Sequence, residues 1–170
     1  MPSKIKNDYN NLYKANYYLF SERVEKMKYE YAEDLQTKMI DIVKVLDLNH
    51  IDINRVKCFR SFGSSTKRTI ARCHTIGKLM QKAIGIEAYY AIEFLERFSK
   101  MNEEEQNKVI IHELMHIPKT FGGGFRQHDF VCDSNVELMH EKLKSLKKPV
   151  IHNVKDNKKI SNFPFWSKSF

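Results

Sequence analysis

The clearest hydrophobic rhythm runs through residues 33–48. Leu35, Met39, Ile42, Val43 and Leu46 recur at three- and four-residue steps, which places them on one stripe of an amphipathic helix. Glu33 and Asp34 fall in its first turn, where negative charge complements the helix dipole. The period then shortens. Residues 55–62 alternate, with Val56 and Cys58 on one face, and Gly63-Ser64-Ser65 is turn chemistry. Residues 69–76 are rich in β-branched side chains and read as a second strand, continuing unevenly towards Ile84. After Gly85, residues 88–95 (AYYAIEFL) read as a third strand. Short connections predict a small, mostly antiparallel three-stranded sheet.

Helical spacing returns at Asn102. This residue is a good N-cap, and Glu105 three positions later completes a capping-box pattern. Val109, Ile110, Ile111, Leu114 and Met115 carry the helix on, and Pro118 stops it. A loop, Phe121-Gly122-Gly123-Gly124-Phe125, precedes a last helix over 133–146, with Val136, Leu138, Met139, Leu143 and Leu146 as its apolar positions. The expected fold is therefore α+β: an N-terminal helix, the small sheet, a helix packed on it and a closing C-terminal helix. Residues 1–28 form a polar, Tyr-rich N-terminal extension, 29–146 the domain, and 147–170 a basic, aromatic tail ending NFPFWSKSF. The aromatic end of that tail either packs back on the chain or trails in solvent.

Composition narrows the class. The 170 residues are 42% apolar and 29% charged, a globular balance that excludes a wholly disordered chain. No apolar run approaches the roughly 18 residues of a membrane span, the N-terminus lacks the apolar core of a secretory signal, and three cysteines are an odd number for a disulfide framework. A cytoplasmic protein with Cys58, Cys73 and Cys132 as free, buried thiols is expected. The net charge of +8 is unevenly spread. Residues 53–86 hold Arg55, Lys57, Arg60, Lys67, Arg68, Arg72, Lys78 and Lys82 and no acid. This segment and the basic tail are candidate nucleic-acid contacts, or simply solvated faces rich in lysine.

The chemistry concentrates in His112-Glu113-Leu114-Met115-His116. On a helix, positions i and i+4 share a face, so both imidazoles can meet one ion. The glutamate after the first histidine then stands where it can deprotonate an activated water. Two imidazoles, a third ligand and an open position suit Zn2+. The metzincin spacing fails, because Lys119 and Gly122 occupy its glycine and third-histidine positions. His128 is the leading third ligand, since the three glycines let the chain reverse towards the helix. Glu137 on the last helix is the rival; Asp133 and His140 are weaker candidates. Tyr89 and Tyr90 are either oxyanion donors or ordinary strand residues, and residues 88–95 are the expected sheet edge for an extended substrate. His50, His74 and His152 read as ordinary polar or half-buried residues.

The run HELMHIPKTFGGGFRQH, from His112 to His128, resembles the signature of a family of metallopeptidases from archaea, their viruses and phages, itself similar to the SprT-like zincins. YEYAEDLQ (29–36), HIDINRVKCFRSFGS (50–64) and KAIGIEAYYAIEF (82–94) resemble further family blocks, so the likeness spans roughly 29–146. Asp129 stands where a glycine is expected soon after the third histidine. The resemblance implies a zincin-like fold, a peptide or protein substrate, His112, His116 and His128 as zinc ligands, and Glu113 as general base. Two other classes remain in view: a nucleic-acid-associated protein, and a non-catalytic, zinc-stabilised interaction module.

Overall fold

The computed structural model describes residues 27–147. Segments 1–26 and 148–170, with His152 and the expected packing or trailing of the aromatic tail, lie outside the described residues. In chain order the elements are β1 (Lys28–Tyr31), α1 (Glu33–Val45), β2 (Val56–Phe62), β3 (Ala71–Thr75), α2 (Lys78–Ile84), β4 (Tyr90–Leu95), a 3-10 turn (Phe98–Lys100), α3 (Glu103–Met115) and α4 (Asp133–Lys147).

The architecture is α+β, but the sheet has four strands in the order β1-β2-β4-β3 and is mixed. The pairs β1–β2 and β3–β4 are antiparallel, whereas β2 and β4 run parallel with Cys58 opposite Ile92. This corrects the three-stranded, mostly antiparallel expectation. All four residues of β1 are exposed, so no apolar alternation marks it. The run 88–95 is also not the edge: β4 lies inside the sheet, and β3 takes the outer position. Five of the six β4 residues are buried, in keeping with a strand flanked by β2 on one side and β3 on the other.

Beyond Thr75 the chain is not strand. Gly77 and Gly85 bracket α2, and Gly85 adopts φ 69°, the left-handed conformation of a helix C-cap. Between them Lys-Leu-Met-Gln-Lys-Ala are good helix formers, which explains why the expected extension of β3 towards Ile84 does not form.

Helices α1 and α3 cover one sheet face. Leu35, Met39 and Ile42 from α1, and Ile110, Ile111 and Leu114 from α3, share one core with Cys58, Ile92 and Phe94. The α3 N-terminus carries the expected capping box: Asn102 Oδ1 accepts from Glu105 N at 2.9 Å, and the Glu105 carboxylate accepts from Asn102 N at 3.0 Å. Helix α4 buries Val136, His140 and Leu143, an i, i+4, i+7 stripe. Leu138 and Leu146, expected in the core, fall off that stripe and are 69% and 54% exposed. Among the described residues no helix is long and apolar enough to cross a membrane.

Polar groups fix how α1 meets the sheet. Buried Gln36 donates from Nε2 to Val56 O at 2.9 Å and accepts at Oε1 from Cys58 N at 2.9 Å. Strand β1 reaches only as far as Phe59 along β2, so this side chain continues the ladder where the backbone partner ends. Arg60 grips Asp34 with two bonds of 2.7 and 2.6 Å. Arg55 pairs with Asp52 and Glu87, and Arg72 with Glu93. Three of the eight cations in 53–86 are thus paired within the fold.

Two predictions follow from these contacts. Gln36→Leu leaves a buried donor and acceptor of β2 unpaired and lowers unfolding free energy in urea titrations by about 1–3 kcal/mol. The hydrogen bonds and charge of Arg60 hold the Asp34 carboxyl below its ordinary value of 3.8. Its stabilisation is therefore complete above that value and lost as pH falls through the folded-state pKa. Asp34→Asn lowers the melting temperature near neutral pH, and the difference from wild type closes on acidification.

Candidate active site

Helix α3 presents His112, Glu113 and His116 towards edge strand β3. The helix ends at His116, and Ile117, fully buried, anchors the exit. The chain then travels outward and comes back. Two bonds bring it back: Arg126 N donates to His116 O at 2.8 Å, and His116 Nδ1 donates to Arg126 O at 2.9 Å. Two residues later His128 stands beside the helix. One ligand atom from each of His112, His116 and His128 lies within 4.8 Å of the others. The ring centroids are 5.0, 5.7 and 4.8 Å apart.

The glycine loop is held as well as returned. Tyr90 Oη accepts from Gly123 N at 3.0 Å and donates to Gly124 O at 3.1 Å, and the Tyr90 and Phe121 rings meet at 4.9 Å between centroids. Gln81 of α2 donates to Ile76 O and to Gly122 O. Gly123 has φ +81°, and a Cβ there would meet Ile76 O at 2.6 Å, closer than any side chain tolerates. Gly123→Ala therefore strains the backbone and the contact together, and costs about 1–3 kcal/mol of unfolding free energy in chemical denaturation.

The donor set fits a metal ion. Because His116 Nδ1 carries the proton given to Arg126 O, its Nε2 is left with a lone pair, and this atom stands 3.3 Å from His112 Nε2. Their spacing is that of two ligands about 3.4 Å apart on a tetrahedral ion with bonds near 2.1 Å. Burial, and then the nearness of the His116 and His128 rings, lower the His112 pKa from its ordinary 6.5 and so favour its neutral form. Next to them Glu113 is 6% exposed. Burial pushes its carboxyl up to about 7, opposed in part by the backbone N–H of Cys73.

The other candidates separate from this cluster. Glu137 is bound to Lys108 at 2.7 Å and has an oxygen 3.9 Å from His140 Nδ1; it lines the cavity that reaches His112 but is not among the three grouped ligand atoms. His140 is 1% exposed, wedged between α3 and α4. Asp133 opens α4 at the surface, on the rim of a cavity that also reaches His112. Tyr89 is exposed, whereas the Tyr90 hydroxyl is committed to the glycine loop. All three cysteines are free, but Cys58 alone is fully buried, and β4 separates Cys58 from Cys73. His74 bonds the buried Glu93 carboxylate at 2.8 Å.

Sequence reasoning missed the contacts that aim the three histidines. Tyr90, Gln81 and Arg126 bear no motif, because their work is done through long-range bonds to main-chain groups. The paired glycines at 77 and 85 were the available signal for α2.

Neither a curated protein nor a solved structure matches the chain. Residues 27–153 match the family described as Putative phage metallopeptidase. That name implies a metal ion and protein or peptide substrates. The match covers the sheet, both histidine-bearing segments and the closing helix, and the chain belongs to this phage metallopeptidase family.

Proposed function

We propose that the protein is a zinc-dependent peptidase of zincin type, with His112, His116 and His128 as metal ligands and Glu113 as general base. The observation that carries this reading is the meeting of three imidazoles from a helix and a returning loop, beside a buried carboxylate. An all-nitrogen set of three suits Zn2+ and leaves a position open for chemistry. When bound, zinc polarises the scissile carbonyl and lowers the pKa of water to about 7.

The remaining work belongs to the chain. Glu113 takes the proton of the attacking water and passes it to the leaving amine. Its burial beside the three imidazoles supports this role, since a carboxylate held there out of bulk water is positioned to take up and hand on a proton. The Arg126 carbonyl fixes the tautomer and aim of His116, as partners of metal-binding histidines generally do. Edge strand β3, rather than β4, offers its outer main-chain groups to an extended peptide. Pairing there gives affinity with little dependence on sequence.

Glu113→Gln keeps the shape and a hydrogen-bonding oxygen but cannot relay protons. In an assay on a defined peptide bond it lowers turnover by at least roughly 10²-fold, while zinc content and melting temperature stay at wild-type values. Turnover at the wild-type level in the purified variant removes Glu113 from the mechanism. Loss of zinc together with activity makes it structural and favours a non-catalytic zinc module.

A further inference from the structure

Two cavities meet at the histidine cluster: one holds all three histidines, and the other reaches only His112. Both include Ala71, His112 and Glu113 in their walls, so the reacting position lies where they meet. The first, of about 440 Å³, adds His74, Arg126, Gln127 and the Phe125 ring to the histidines. The other, of about 400 Å³, is walled by Ile70 and Ala71 ahead of and within β3, Val109 of α3 and Val136 of α4.

The charged groups of this second cavity include one ion pair. Lys108 is held by Glu137 at 2.7 Å, and Arg68 and Asp133 at the rim carry opposite signs. The remaining carboxyl group, Glu113, sits at the reacting position that the two cavities share. What remains is a concave apolar surface formed by three elements, of a size that takes an organic group. A peptide extended along β3 sends alternate side chains to the same face, so one residue next to the scissile bond projects into this space.

We propose that the cavity between β3, α3 and α4 is a specificity pocket that selects a large apolar side chain, Leu or Phe, adjacent to the cleaved bond. This proposal rests on the peptidase reading and deepens it. A methylene more or less in an apolar pocket changes selection by roughly 10–200-fold, so several missing methylenes are easily read. Val109 of α3 and Ile70, just ahead of β3, line the pocket from different elements.

The test uses zinc-loaded full-length protein and peptides that vary at each position flanking a single cleavable bond. At one of those positions kcat/KM is at least roughly tenfold higher for Leu or Phe than for Ala or Asp. Val109→Phe narrows the pocket and moves the preference towards Ala, while Ile70→Ala widens it and moves the preference from Leu towards Trp. Cleavage without an apolar preference, or a preference that neither substitution moves, overturns the pocket and leaves the peptidase reading standing. If no peptide is cleaved, the peptidase reading fails, and the pocket is judged by fluorescence anisotropy of labelled peptides on the Glu113→Gln protein. There a Phe peptide binds at least roughly tenfold more tightly than its Ala counterpart, and equal binding overturns the proposal.

Discussion

His116 bonds Arg126 through both its main chain and its ring, and the geometry of the cluster depends on this pair of contacts. A helix alone offers two imidazoles on one face, which is an incomplete site. The third must arrive from elsewhere at matching distance, across a loop whose glycines oppose any fixed path. The carbonyl of Arg126 orients the His116 ring, and the carbonyl of His116 fixes the Arg126 backbone. These two bonds therefore set the aim of the second histidine and anchor the chain two residues before the third.

The sheet makes that contact possible. Tyr90, buried in β4, reaches through its hydroxyl to Gly123 and Gly124, so the loop is referenced to the centre of the fold. The same interior position of β4 leaves β3 at the edge next to α3. Parallel pairing of β2 with β4 is thus a functional matter: it decides which strand faces the histidines, and which cavities open there. Glu113 is buried against β3 by the same packing, which raises its carboxyl pKa to about 7.

What was legible in the sequence was local. The capping box of Asn102 and Glu105, the apolar stripe of α1 and the i, i+4 histidines of α3 are set by neighbours a few residues apart. The meeting of His128 with that pair was legible only as a consequence of flexible glycines and of a resemblance. Strand β1 was silent because its side chains are all exposed. Strand order was silent because alternation reports a face, not a partner. Leu138 and Leu146 misled because hydrophobicity without the right phase does not bury a residue, whereas His140 is buried because it holds that phase. The bonds made by Gln36, Tyr90 and Gln81 to distant main-chain atoms leave no periodic trace at all.

X-ray absorption at the zinc edge of the loaded protein measures the ligand set itself. The account predicts a shell of about three imidazole nitrogens and one further light atom, unchanged in Glu137→Ala and reduced by one imidazole, with weakened binding, in His128→Ala. A shell of two imidazoles and a carboxylate that is lost in Glu137→Ala and kept in His128→Ala would contradict it.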